Sequence, residues 1–156
     1  MVLGSAWWES FLSTVVGGLL AIAGGAFASW LSWKRERKSV AAAFAAEVQG
    51  ILDIYDWRHT IERIPQGWKF SVEPNFPVFE SHVGKIGLLP TDLAAKVTVF
   101  YNYAAGVFMD FKAIYKDEVP QETLPRFRER FVNKIETMLM KRQALVPKLQ
   151  KEAGGS

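Results

Sequence analysis

The sequence predicts an all-α protein: a single N-terminal transmembrane helix that continues into a cytoplasmic antiparallel three-helix bundle. Three observations predict it. Residues 10–33 are 24 consecutive positions without a charge, SFLSTVVGGLLAIAGGAFASWLSW. Beyond them, apolar residues recur at three- and four-residue steps in three separate segments, which is the helical period. Nowhere do apolar and polar residues alternate for long enough to make a strand. A length of 156 residues provides one folded domain plus an appendage. The chain has no cysteine, which excludes disulfide scaffolds, thiol nucleophiles and cysteine-held zinc or iron–sulfur centres. A net charge of +3, from 19 basic and 16 acidic residues, is too mild to imply nucleic acid.

The uncharged run comes first. About 20 apolar residues cross a hydrocarbon core of about 30 Å, so 24 span it with room for tilt. Trp7 and Trp8 precede the run, and Trp30 and Trp33 close it, where amphipathic rings prefer the two interfaces. Lys34, Arg35, Arg37 and Lys38 follow at once, whereas the first nine residues carry only Glu9. The positive-inside rule therefore places residues 1–9 outside and everything after Lys34 in the cytoplasm, with the four tryptophans and four cations as interface anchors. Ala26-Phe27-Ala28 fits a signal-peptidase site, but no Lys or Arg stands before the apolar core, as a cleaved leader requires.

Small residues inside the run are ordered. Ser13, Gly17, Ala21, Gly25 and Ser29 recur every four positions, with Gly18, Gly24 and Ala28 beside them. That spacing makes one stripe on which another helix backbone can approach closely, either a second copy or a subunit of a larger complex. The plainer alternative is composition, since glycine and alanine are common in membrane helices. Val15, Leu19, Leu20, Ile22 and Phe27 occupy the other side and suit lipid.

The cytoplasmic domain is expected over residues 39–151. From Lys34 to Ile64 there is no proline and only Gly50, and Phe44, Val48, Ile51, Tyr55 and Ile61 or Glu62 keep helical spacing. The membrane helix is thus expected to run on, bent or broken near Ser39, until Pro65-Gln66-Gly67. Residues 68–90 hold Pro74, Pro77, Gly84, Gly87 and Pro90, an irregular stretch long enough to need a short helix around Val78–Val83. Thr91 or Asp92 then caps a helix whose stripe is Leu93, Val97, Phe100, Ala104, Val107, Phe111 and Ile114. After a turn at Asp117–Thr123 the last helix begins near Leu124-Pro125. Its stripe is Leu124, Phe127, Phe131, Ile135, Met138, Leu145 and Leu149, interrupted by Arg142, and Pro147 is expected to weaken its end. Residues 152–156 read as a disordered tail, Gly154-Gly155-Ser156 also fitting an appended linker. Short connections between three helices give an up-down-up order.

Charge is uneven. Residues 39–123 carry 7 basic and 11 acidic side chains, whereas residues 124–151 carry 8 basic and 2 acidic. The basic last helix suits either anionic lipid or the acidic part of its own domain. Nucleic acid is not expected as a partner, because the aromatic residues fall on the buried stripes and leave no stacking platform.

Little here carries chemistry. Asp53, Asp56 and His59 share one helical face and resemble half of a carboxylate-bridged metal site, but the second half is missing, and a solvated face paired with Arg58 or Arg63 explains them as well. Glu80-Ser81-His82 sets three catalytic residue types side by side, yet neighbouring side chains diverge, and triad geometry is not expected. No nucleophile elbow, dinucleotide fingerprint or zinc-protease pair occurs, and Gly84-Lys85-Ile86-Gly87 is too short for a phosphate loop. No enzyme activity, cofactor or metal is expected.

The passage Phe76–Tyr101, FPVFESHVGKIGLLPTDLAAKVTVFY, carries a resemblance in Phe79-Glu80-Ser81, Lys85-Ile86-Gly87-Leu88-Leu89-Pro90 and Phe100-Tyr101. It resembles a recurrent segment of uncharacterised single-pass bacterial inner-membrane proteins, whose anchor-first organisation it shares. The likeness implies architecture and a bacterial inner-membrane location, with no activity attached. Physically, Gly87 is expected to allow a tight turn, Leu88 and Leu89 to enter the core, and Pro90 to start a helix, while Glu80 accepts from the amides at that start. Glu80, Ser81, Lys85 and Gly87 are also the candidate partner-binding residues. The expectation is a non-catalytic, membrane-anchored accessory or scaffold subunit. A self-oligomerising membrane effector of bacterial defence or toxicity is the first alternative, and a carboxylate/His metal protein the second.

Overall fold

Alanine, leucine and valine fill the first third of the chain with no proline, so a long helix is the local minimum there. The computed structural model describes residues 6–53, 76–116 and 118–154, with side chains at a few of these positions left aside. All regular structure among the described residues is helical: α1 (Ala6–Asp53), α2 (Pro77–His82), a 3₁₀ segment (Val83–Leu88), α3 (Thr91–Tyr115) and α4 (Leu124–Ala153). The chain divides into two compact units, Met1–Glu36 and Arg37–Ser156.

In the first unit, α1 presents apolar side chains to the outside on every face. Residues 11–30 are all exposed, among them Leu19, Leu20, Ile22 and Phe27. One helix among the described residues is long and apolar enough to cross a membrane, within Phe11–Ile51.

The same helix behaves differently in the second unit. Val40, Ala41, Phe44, Ala45, Val48 and Ile51 are buried, whereas Ala42, Ala46 and Gln49 stay exposed. Against this one-sided stripe lie Leu93, Val97, Phe100, Ala104, Val107 and Phe111 of α3, and Phe131, Ile135, Met138, Leu145 and Leu149 of α4. Most of both expected stripes is therefore core, but Ile114, Leu124 and Phe127 are only half-buried, and Leu124 and Phe127 lie outside the core cluster. The interruption at Arg142 has a physical reason: its guanidinium donates to the Gln49 carbonyl at 3.0 Å, giving the cation an acceptor on α1.

Several local expectations need correction. Helical structure runs through Ser39 without a break, because Ala41–Ala43, Ala45 and Ala46 favour helix and Gly50 is the next weak position. The expected continuation to Pro65 lies outside the described residues. No side chain caps α3: the Pro90 carbonyl accepts from Leu93 and Ala94 at 2.8 and 2.9 Å, and Asp92 pairs with Lys96 instead. Pro147 does not end α4. It removes one amide donor, but Leu145 and Leu149 on either side are buried and hold the helix to Ala153.

The tail begins later than expected. Arg37 Nε donates to Glu152 Oε1 at 2.6 Å, and Gly154, at φ 92°, closes α4 with its amide on the Gln150 and Lys151 carbonyls. That left-handed C-cap favours glycine. Gly155 and Ser156 lie outside the described residues. The contacts also depart from an up-down-up order. Early α1 (Arg37) meets the end of α4 (Glu152), and later α1 (Gln49) meets its middle (Arg142). The same descending order joins α3 to α4, in the Lys134–Asp110 ion pair, the stacked Phe111 and Phe131 rings and the Lys141 ammonium over Tyr103.

Leu149→Ala tests whether the end of α4 belongs to the core. It should destabilise the second unit by about 2–5 kcal/mol in denaturant unfolding, as a buried leucine truncation does. A cost of only a few tenths would mean that this end frays.

Candidate functional site

The described residues hold one conspicuous polar constellation, and it centres on Glu47. Residues 39–52 carry this single charge among alanine, valine and phenylalanine. Position 47 lies three after Phe44 and four before Ile51, so helical geometry turns it toward the core rather than the solvent. There Glu47 Oε1 accepts from the Val78 amide at 2.8 Å and Oε2 from the Phe79 amide at 3.0 Å. These are donors of the first turn of α2, which have no carbonyl partner within their own helix. Oε2 also accepts from the Tyr101 hydroxyl. One carboxylate thus joins α1, α2 and α3.

Aromatic rings close around this junction. Tyr101 stacks on Phe79 with centroids 4.2 Å apart, and Phe76, Phe100 and Phe44 approach it at 5.4, 5.6 and 6.0 Å. Tyr101 is 2% exposed. Burial, with the hydrogen bond to Glu47 and its charge, pushes the phenol well above the usual tyrosine range. The junction is a neutral donor held on a half-buried carboxylate beside a cluster of rings.

The expected acceptor at a helix start is therefore real, but the residue and the helix differ. Glu80 is exposed on the first turn of α2, and Glu47 takes the amides. Lone placement of a carboxylate on an apolar stripe was the signal that could have found it. Gly87 also needs correction. Its φ is not positive, and a side chain there would meet nothing within 4 Å, so no turn requires glycine. Leu89 is buried and Leu88 packs against the core, as expected, while Lys85 and Ser81 are exposed.

Ser81 and His82 do meet, against the expectation that neighbours diverge. Ser81 Oγ lies 2.8 Å from His82 Nδ1. The same hydroxyl donates to the Pro77 carbonyl at 2.6 Å, and Nδ1 also lies 3.1 Å from the Val78 carbonyl. This set is satisfied when Nδ1 carries the proton and donates, which makes it the wrong nitrogen to accept a proton from serine. The pair ties off the end of α2.

Among the described residues, no group of three or more His, Asp or Glu is placed to hold a metal. Asp56 and His59, and the Asp53 side chain, lie outside the described residues. The basic helix meets an acid of its own domain at Lys134–Asp110, whereas in the Arg37–Glu152 pair it supplies the acid. A shallow groove of about 280 Å³ lies between α1 and α4, lined by Gln49, Arg142, Gln143, Val146, Pro147 and Gln150.

In the first unit, Ser13, Gly17, Ala21, Gly24, Gly25 and Ala28 are exposed. A side chain added at Gly17, Gly18, Gly24 or Gly25 would meet nothing within 4 Å, so no contact among the described residues requires these glycines. Trp8, Trp30 and Trp33 are half exposed, and the Lys34 ammonium sits 5.1 Å from the centre of the Trp30 ring. The Trp7 side chain is outside the described set. Arg35 is exposed, Arg37 is committed to Glu152, and Lys38 approaches Gly154.

The Glu47 junction makes two predictions. Tyr101→Phe should cost about 1–3 kcal/mol in urea unfolding at neutral pH, since a half-buried carboxylate loses the donor that the buried tyrosine supplies. The wild type should also lose stability as pH rises beyond about 10, where the unfolded tyrosine ionises and the folded one keeps its proton. Below that pH the contribution is fully present. Comparing stability against pH for wild type and Tyr101→Phe isolates this residue, and two parallel curves would refute the assignment. No family model matches this chain, and neither a curated protein nor a solved structure does.

Proposed function

We propose that this protein is a non-catalytic, membrane-anchored accessory or scaffold subunit. Its N-terminal helix crosses the bacterial inner membrane with the N-terminus outside, and its helical domain stands in the cytoplasm. The observation that carries this reading is the contrast within α1: every face is exposed and apolar over residues 11–30, whereas one face alone is buried from Val40 to Ile51. Water would penalise the first segment over its whole circumference, and lipid would not. The Lys34-Arg35-Glu36-Arg37-Lys38 run sets the orientation.

The domain is read as a three-helix bundle with α4 antiparallel to both α1 and α3. The contact order along α4 supports this arrangement, which sets α1 and α3 in the same direction. In the membrane, no contact among the described residues needs the glycines, and their four-residue spacing supports close approach of another helix. That helix belongs to a partner subunit of a membrane assembly. The domain carries no assembled nucleophile, base and oxyanion site among its described residues, in keeping with a holding role.

Replacing Gly17, Ala21 and Gly25 together by leucine should dissociate the assembly in mild detergent while the thermal unfolding of the domain stays unchanged. Native mass analysis reads the first and circular dichroism the second. An assembly that survives all three replacements refutes the packing stripe. Affinity capture from the native membrane decides what is held. Stoichiometric foreign subunits support the accessory reading. A homo-oligomer alone, with growth arrest or dye entry on expression, transfers the assignment to a membrane-acting effector.

A further inference from the structure

Resting on the membrane reading above, we propose that Lys38, Lys96, Lys148 and Lys151 form a docking surface for the phosphate headgroups of anionic phospholipids in the membrane that holds α1. The sequence associates lipid with the basic last helix as a whole, whereas the contacts of the second unit gather cations from three helices at one end. Arg37 is bonded to Glu152, and the Lys38 ammonium lies 3.1 Å from where a side chain on Gly154 would begin, so the start of this unit meets the end of α4. Lys148 and Lys151 occupy that end of α4. Lys96, on the second turn of α3, is brought to the same place by the packing of α3 on α4: the Lys141 ammonium lies over the Tyr103 ring, Lys148 follows Lys141 by seven residues, and Lys96 precedes Tyr103 by seven.

Charge and reach both favour a phosphate surface. Arg37, Lys38, Lys96, Lys148 and Lys151 are five cations, and among the described residues Asp92 and Glu152 are the carboxylates seen paired with Lys96 and Arg37. Lys96 holds Lys148 below the usual lysine range, by a hydrogen bond that favours the neutral amine and by its charge. Two ammonium groups forced together repel, and an anion placed between them removes the repulsion. Arg37 follows Trp33 by four residues, a covalent reach of at most about 14 Å even fully extended. Whatever angle the two units adopt, this end is therefore tied near the headgroups, within about two screening lengths at physiological salt. Arg126, Arg128 and Arg130, at the start of α4, are under no such obligation: 22 residues of helix put about 33 Å between Arg126 and Lys148.

The test is a lysine footprint on the full chain in nanodiscs, with acetylation of each lysine followed by mass spectrometry. Discs contain phosphatidylcholine alone, phosphatidylcholine with about a third phosphatidylglycerol, or phosphatidylcholine with soluble glycerol phosphate added. The expected result is acetylation slowed by roughly threefold or more at Lys38, Lys96, Lys148 and Lys151 in the phosphatidylglycerol discs only. Lys112, Lys116 and Lys141 should react equally in all three, and about 1 M salt, where screening acts within about 3 Å, should abolish the protection. Equal reactivity of the four lysines in neutral and anionic discs overturns the proposal, while elution with the discs leaves the membrane reading standing. Protection along the whole of α4 overturns it in favour of a helix lying flat. Protection by glycerol phosphate in neutral discs overturns it in favour of a soluble phosphate ligand. A chain that elutes apart from the discs overturns the membrane reading and this inference together.

Discussion

The Glu47 carboxylate is the constraint on which the second unit depends. A charge on an apolar helix face is costly to bury unless its lone pairs are used. Here they are used by the two leading amides of α2 and by the Tyr101 hydroxyl. Six residues of α2 would not form a stable helix alone. Pinning the first turn against α1 supplies what local propensity does not. The rings of Phe76, Phe79 and Phe44 then fill the space around Tyr101, so the polar contact and the apolar packing fix each other. A hydrophobic stripe tolerates sliding by a turn. A carboxylate with three named donors does not, and it gives the helices their register.

α1 carries two kinds of surface on one backbone. Over residues 11–30 the apolar surface is continuous around the helix, and from Val40 onward it narrows to the stripe of Val40, Phe44, Val48 and Ile51. Each half suits a different surrounding, the first a medium without water and the second a partner on one side only. Helical hydrogen bonding passes from one half to the other through the basic run at 34–38. The cations stand where the surface of the helix changes, and Arg37 also binds Glu152, which brings the end of α4 to the start of the second unit.

Much of this was legible in the residues. The stripes of α3 and α4 were readable because burial follows a period that spacing reports directly, and α2 was readable because a long proline-rich stretch needs internal structure. Other features were not. Pro147 and Ser39 read as weak points, yet Leu145, Leu149 and the alanines around Phe44 decide there, since packing outweighs local preference. Glu152 reads as tail because nothing in five polar and small residues announces a partner 115 positions earlier. Glu80 reads as the capping acid because it is near in sequence, whereas Glu47 reaches the site across space.

The sequence by itself determined the helical class, the long apolar segment with its aromatic and basic borders, and the residues that form the core. These depend on composition and period, which are properties of neighbouring positions. Tertiary structure alone decided which carboxylate holds α2, the order in which α4 meets α1 and α3, and the gathering of Lys38, Lys96, Lys148 and Lys151 at one end. Those depend on contacts between positions far apart in the chain, and a hydrogen bond or a charge cluster leaves no periodic trace in the segments that supply it.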